Sequence, residues 1–277
     1  MNPLRDWRNM SEKQRLFTRK SHFIVSIPKS GRTWLRVFLH AYYSRLLGSM
    51  EPPNSRDVYA DGRPAYQFTH DRYSHLTIAN PWQRLIGRYL IPPERRRNAR
   101  ILLLARDPRD LMVSLYFQNT RRVKGSQTFH GSIDDMLNDK RYGVDRVIKV
   151  MNGWLEEWGD QENRLLLCRY EAMHQQATST FSRVIEFLGN GEIDQHALDD
   201  ALGYSRFDNM QAREKQLSGN SPSALRPGNA DDPESFKARK GRVGGYLDYL
   251  TSPQVARIEQ AMENLDHRFD YATGRSE

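Results

Sequence analysis

Apolar runs broken by short polar turns divide this chain into strand-length and helix-length pieces. Phe23-Ile24-Val25-Ser26-Ile27 reads as a strand that breaks into the polar turn from Pro28 to Thr33. Trp34, Leu35, Phe38, Ala41, Tyr42 and Leu46 then recur at helical spacing. Ile101 to Ala105 is an unbroken apolar run, the pattern of a strand covered on both faces of a parallel sheet. The next helix is announced by Asp107 as N-cap, Pro108 at the first helical position and Asp110 in the first turn. Residues 65–71 read as another strand, ending at His70, and 164–169 as a further one. Helices are predicted over 132–138, 144–158, 171–188 and 253–265.

Strand and helix alternate along the chain, which predicts an α/β fold with a central parallel sheet and helices on both faces. No internal repeat is visible, and 277 residues suit one such unit, so 1–277 is expected to be a single domain. Residues 1–20 are an N-terminal extension in this reading. The segment 218–235, rich in Ser, Pro, Asn and Asp, is expected to be a mobile loop, and 121–131 another loop.

The formal net charge of +8, from 42 Lys plus Arg against 34 Asp plus Glu, favours anionic ligands. The run Arg95-Arg96-Arg97, with Arg100, reads as a solvated stretch before a strand. A single cysteine, Cys168, forms no intrachain disulfide and agrees with a reducing compartment. Residues 1–20 carry charges throughout, and no apolar run reaches membrane-spanning length. The expected location is cytoplasmic, with no integral membrane segment.

Chemistry enters at the ends of the predicted strands. A strand, turn and helix in that order leave N–H groups of the first helical turn pointing at whatever precedes the helix, and the helix dipole favours an anion there. Lys29 adds a movable cation, Gly31 allows close backbone approach, and Ser30 and Thr33 offer hydroxyl donors. The turn lacks the first glycine of a Walker A loop and has no lysine directly after Gly31. Arg106 falls at the carboxyl end of its strand, the edge where open α/β sheets bind ligands. The residues thus describe a phosphate-binding enzyme, and a nucleotide or small-molecule kinase stays open at this point.

Three segments then carry a resemblance to one family. Pro28, Lys29, Ser30, Gly31, Thr33 and Trp34 resemble the P-K-S-G-T-T-W signature of the cytosolic-type sulfotransferases, with Arg32 in place of a Thr. Arg106-Asp107-Pro108-Arg109-Asp110, with Val113 and Ser114, resembles the family's R-D-P-R-D-x-x-V-S segment. Arg239, Lys240, Gly241 and Gly244 sit at matching positions of its R-K-G-x-x-G-D-W loop, where Gly245 and Tyr246 replace Asp and Trp. Two weaker matches are Phe207, in a stretch like S-F-x-x-M, and Tyr170, in one like Y-E-D-[LM]. The resemblance runs from about His22 to about Tyr246.

That resemblance implies a three-layer, P-loop-like α/β fold and sulfuryl transfer from 3′-phosphoadenosine-5′-phosphosulfate (PAPS), with no metal. Lys29, Ser30, Gly31, Arg32, Thr33 and Trp34 would then hold the phosphosulfate, and Arg106, Ser114, Arg239, Lys240 and Gly241 the 3′-phosphate. Trp34, Tyr170 and Phe207 would border the base. His70, in Phe68-Thr69-His70, resembles the catalytic base of the family's K-T-H stretch, and Lys29 would share in catalysis. Phe68 departs from the family's Lys, so Arg32, Arg72 or Lys29 alone is expected to supply the cation. Asp71 either orients His70, binds the acceptor or caps a helix. Asp107 and Asp110 are expected to be caps and Arg109 a solvated helix residue.

The acceptor is read as a hydroxyl or amine of a small molecule, lipid or carbohydrate, not nucleic acid. Tyr42, Tyr43, Tyr73, Tyr116, Phe117 and Phe129 either line its pocket or fill the core. Besides the kinase, a catalytically inactive protein that binds PAPS or a polyanion on the same scaffold is the alternative. Oligomeric state is left open.

Overall fold

The computed structural model describes residues 22–46, 48, 66–123, 125, 128–161, 163–189, 192–216, 229, 232–236 and 241–271. Four parallel strands, β1 (His22–Ser26), β2 (Tyr66–Thr69), β3 (Arg100–Ala105) and β4 (Leu165–Arg169), form one sheet in the order β2-β1-β3-β4. Register is fixed by His22 opposite both Tyr66 and Arg100, and by Ile101 opposite Leu165.

Successive side chains of a strand point to opposite faces, and two separate clusters follow from this. Phe23, Val25, Ile101 and Leu103 are buried on one face; Ile24, Leu102, Leu104 and Cys168 are buried on the other. The first face is covered by α5 (Pro108–Phe117), α7 (Val144–Trp158) and α12 (Ser252–Met262), whose Leu111, Trp154 and Ile258 enter that core. The second is covered by α1 (Arg32–Leu46), α9 (Ala177–Leu188) and α10 (Gln195–Tyr204), through Phe38, Phe181 and Leu198. The expected three layers are therefore present.

Between β2 and β3 lie α2 (Asp71–Thr77), α3 (Pro81–Leu85) and α4 (Pro93–Arg96). A π turn, Gln118–Arg122, extends α5, and α6 (Ile133–Leu137) starts from a capping box between Ser132 and Asp135. The helix expected over 171–188 is two, α8 (Tyr170–Gln175) and α9. Gln176, at φ −138° and ψ 54°, turns the chain between them, so α9 lies on the sheet while α8 faces the strand ends. Helix α11 (Phe207–Gln216) was not anticipated; only Met210 and Glu214 are buried along it, too few for an apolar stripe to show.

Residues 1–20 and most of the expected mobile loop lie outside the described residues. The end of that loop is tied down. Ser235 is fully buried, donating to the Asn229 carbonyl and accepting from the Asn229 N–H. Among the described residues, no helix is long and apolar enough to cross a membrane.

Candidate active site

The turn after β1 is built from two left-handed residues, Lys29 (φ 76°) and Gly31 (φ 92°), separated by buried Ser30. Alternation of this kind curls successive N–H groups toward one point, making an anion-binding nest. Gly31 is required twice over, because a Cβ there would lie 2.9 Å from the Tyr170 ring as well as demanding a left-handed backbone. Its carbonyl accepts from Leu35 N–H at 3.0 Å and opens α1 behind the turn.

Arg106, just past the end of β3, joins three parts of the chain. Its guanidinium donates to Ser114 Oγ (3.2 Å), to the Lys29 carbonyl (3.3 Å) and to the Arg242 carbonyl (3.5 Å). It also lies 4.2 Å from the Tyr170 ring centroid, a cation–π contact. Asp110, one turn along α5, is 3.7 Å from Arg106 and accepts from the Gly244 N–H at 2.9 Å and the Tyr246 N–H at 2.8 Å. Asp107 is the expected cap, accepting from Arg109 N–H at 2.8 Å. Asp110 is not a cap: the Asp107 N–H goes to Glu171 Oε1 at 3.0 Å, and Asp110 clasps the C-terminal loop instead. Arg109 is likewise not a solvated residue. It pairs with Asp107 (2.6 Å) and Glu259 (2.8 Å) and lies 5.1 Å from the Tyr246 ring centroid.

His70 follows β2 at the same sheet edge. Its Nδ1 lies 2.7 Å from the Ser26 carbonyl oxygen. A carbonyl only accepts, so Nδ1 carries the hydrogen and Nε2 is left as the basic nitrogen. Burial and the nearby charge of Arg32 push the His70 pKa down to about 3, with Arg36 adding to the effect and the Ser26 bond opposing it. Burial and Arg36 also pull the Arg32 pKa down to about 9.

These groups share one cleft of about 230 Å³. Lys29, Gly31, Arg32, Thr33, Trp34, His70, Arg106, Ser114, Tyr170, Phe207 and Gly241 all line it, as the sequence reading expected. Ser30 is buried within the turn behind it. Arg239 and Lys240 lie outside the described residues. Arg36, Gln118, His174, Met210 and Arg242, to which reasoning from sequence assigned no role, line the cleft too, as do Asp110, read as a cap, and Gly245, read as a departure from the family's Asp. Arg36 carried a usable signal, since it stands four residues beyond Arg32 and so on the same helix face.

Aromatic side chains form one end. Trp34 meets His174 (4.6 Å between centroids) and Tyr170 (6.0 Å) edge to face, while Phe207 packs with Trp34, Val37 and Met210. A Cβ on Gly241 would fall 2.0 Å from the Phe207 ring, so the C-terminal loop closes on that ring only because residue 241 has none. Trp34 Nε1, Arg106 Nε and His174 Nε2 are buried and have no hydrogen-bond partner among the described residues. Donors left unmade around a cationic cleft fit a polyanionic nucleotide.

Three open readings are narrowed here. Asp71 neither touches His70 nor caps α2. It is the first residue of that helix, and its buried carboxylate accepts from Ile91 N–H (2.7 Å), Trp154 Nε1 (3.1 Å) and Arg96 Nη2 (3.3 Å). Arg72 pairs with Glu157 at 3.0 Å and does not line the cleft, so it is not the missing cation. Tyr42, Tyr43 and Tyr73 are core, and Tyr116, Phe117 and Phe129 pack against it; none lines the cleft.

The sulfotransferase domain family profile matches residues 19–270. An amine sulfotransferase of Oryctolagus cuniculus is 25% identical over 249 residues, covering 87% of this chain and 79% of that protein. Cytosolic sulfotransferase 13 of Arabidopsis thaliana is 26% identical over 251 residues, covering 86% and 74%. In fold, the chain is similar to a mouse sulfotransferase complexed with PAP, with a TM-score of 0.57 at 17% identity, over 91% of this chain and 88% of that one. Retinol dehydratase in complex with androsterone and inactive cofactor PAP gives 0.59 at 16% identity, over 88% and 79%. With a profile spanning nearly its whole length, the chain belongs to the sulfotransferase family and is a PAPS-dependent sulfotransferase.

Proposed function

We propose that the cleft binds PAPS with its phosphosulfate on the Lys29–Trp34 turn and its 3′-phosphate at Arg106, Ser114, Gly241, Arg239 and Lys240, and that His70 is the general base. The acceptor is a hydroxyl or amine of a small molecule, lipid or carbohydrate. The whole of 1–277 acts as one domain, with a cytoplasmic location. One observation carries this reading: the nest, the Arg106 junction and a histidine of fixed tautomer converge on a single cleft at the carboxyl edge of a parallel sheet.

His70 Nε2 takes the acceptor proton as the acceptor oxygen or nitrogen bonds to sulfur. Lys29 and the turn's N–H groups hold the oxygen that leaves with the 5′-phosphate, and Thr33 adds a hydroxyl donor. Bound PAPS supplies the activated sulfuryl group. It also brings negative charge beside Arg32 and Arg36, which cancels part of the field that lowers the His70 pKa. The base is therefore weak in the empty cleft and strengthens once the donor is seated.

The test combines binding and product detection. Adenosine 3′,5′-bisphosphate (PAP) should raise the melting temperature, while ATP with Mg²⁺ should not. A panel of phenols, amines, sterols and sugars with PAPS should yield a product heavier by one sulfuryl group, absent from His70→Ala. Stabilisation by ATP alone overturns the reading, and PAP binding without any transfer favours the inactive scaffold.

A further inference from the structure

We propose that Arg36 supplies the positive charge that holds the sulfuryl group during transfer. This deepens the reading above and rests on it. Sulfur passes between two oxygen atoms, or from oxygen to nitrogen, while its own three oxygens stay anionic, so a cation is needed on the side facing the base. Phe68, within β2 and two residues before His70, has no charge to offer. Its ring serves as a seat: the Arg36 guanidinium carbon lies 4.4 Å from the Phe68 centroid, and Arg36 lines the cleft with Lys29, Arg32 and His70. Contact with a ring face orients a guanidinium without neutralising it.

Arg36 and Arg32 are one helical turn apart, and like charges at that spacing repel. Arg36 lies close enough to depress the proton affinity of both Arg32 and His70. An anion seated between the two charges relieves that repulsion. In the step itself, a lone pair of the acceptor forms the new bond to sulfur. The bond from sulfur to the 5′-phosphate oxygen breaks, its electron pair leaves with PAP, and the acceptor proton goes to His70 Nε2. Arg36 exchanges no proton and donates hydrogen bonds to the sulfuryl oxygens throughout.

PAP lacks the sulfuryl group and PAPS carries it, so calorimetric titration with both nucleotides isolates the contact without any acceptor. Arg36→Met should weaken PAPS binding about tenfold or more, the loss of one charge-assisted hydrogen bond, and leave PAP within about twofold of wild type. Arg36→Lys should recover part of the difference, and unchanged PAP binding shows that the variant is folded. Equal losses for the two nucleotides, or none for either, overturn the proposal. Wild-type protein that binds neither overturns the underlying reading as well.

A different surface carries an independent inference. Eight large apolar side chains are exposed among the described residues, and four lie within one short stretch: Trp82 at 67%, Leu85 at 77%, Ile86 at 59% and Tyr89 at 38%. The stretch is braced: Pro81 and the Asn80–Gln83 capping box fix α3, Arg84 donates to the Leu76 carbonyl at 2.8 Å, and His75 Nδ1 donates to the Arg88 carbonyl at 3.0 Å. Around it, Arg84, Arg88 and Arg97 are exposed, and Glu94 is the one acidic residue between positions 79 and 100.

We infer that this face docks on an anionic lipid surface. Exposed aromatic and aliphatic tips interleaved along the chain with exposed arginines suit the headgroup boundary, where the tips enter the acyl region and the guanidiniums meet phosphate. A second copy meeting it through the same face would set these arginines against themselves. Sedimentation with phosphatidylcholine vesicles containing about one-third phosphatidylserine tests it. Wild type should pellet with them, be released by high salt, and ignore pure phosphatidylcholine. Trp82→Ser with Leu85→Ser and Ile86→Ser, or Arg88→Glu with Arg97→Glu, should abolish pelleting while melting temperature and PAP binding hold. Wild type that stays in the supernatant overturns the inference. So does variant protein that pellets equally, or a dimer in sedimentation velocity that the triple variant dissolves.

Discussion

His70 Nδ1 is held on the main-chain carbonyl of Ser26 at 2.7 Å, so the base is locked to the strand that delivers the anion turn. The ring, at a pKa of about 3, stays neutral through the physiological range. Its ordinary value is 6.5, so the unfolded chain takes up a proton that the folded chain refuses between those limits. His70 therefore stabilises the fold above pH 6.5 and loses that contribution as pH falls toward 3. Melting temperatures measured across that window should fall less steeply for His70→Gln than for wild type. Titration of the His70 ring by NMR should also show a higher pKa with PAP bound, because its phosphates offset Arg32, the larger of the two charges that lower it.

Asp110 holds the C-terminal loop by two main-chain bonds, to Gly244 and Tyr246, and also faces Arg106. Removing a buried acceptor of two N–H groups strands both donors, at about 1–3 kcal/mol each. Asp110→Ala should thus weaken PAP binding by about tenfold or more and lower the melting temperature, as read by calorimetry. Asp110→Asn keeps an acceptor but loses the charge, and should fall between. If Asp110→Ala binds PAP like wild type, the loop is not held by this residue.

Much of the fold was legible because β1 and β3 are buried on both faces, which leaves unbroken apolar runs that no amphipathic helix would show. The anion turn and Arg106 were legible because their chemistry is local: the residues that matter are neighbours in the chain. What escaped depends on long-range partners. Asp110 meets donors more than a hundred residues away, Arg109 finds Glu259 and Tyr246, and Asp71 finds Ile91, Arg96 and Trp154. Phe68 looked like a lost charge because the guanidinium seated on it comes from α1, a different element.

Asp71 makes a sharp test of structure against catalysis. Its carboxylate is buried and receives three donors, one of them the charged Arg96, which also pairs with Glu157 at 2.6 Å. Taking away one partner of a buried ion pair costs about 3–5 kcal/mol. For Asp71→Ala that corresponds to a fall in Tm of about 10 °C. Protein that remains folded should keep the His70 titration of wild type, because no bond joins the two side chains. A shifted His70 pKa in this variant would restore Asp71 as a residue that orients the base.

Gly31 and Gly241 face the cleft from opposite ends of the chain, and each excludes a side chain for its own reason. At Gly31 (φ 92°) a methyl group would press on Tyr170, the ring that also carries Arg106. At Gly241 (φ 59°) it would enter the Phe207 ring. A left-handed backbone adds about 1–2 kcal/mol of strain for any residue with a Cβ. Gly31→Ala should therefore disturb both phosphate sites, through the nest directly and through Arg106 by way of Tyr170. Gly241→Ala should lift only the loop end and push Phe207 aside. Binding of PAP and of adenosine 5′-phosphate, compared by calorimetry, separates the two. Gly31→Ala should weaken the monophosphate strongly, through the nest, and PAP by at least as much, because only PAP also uses the Arg106 site. Gly241→Ala should weaken PAP more than the monophosphate, because only PAP carries the 3′-phosphate at that end, and equal losses there would move Gly241 away from the 3′-phosphate site.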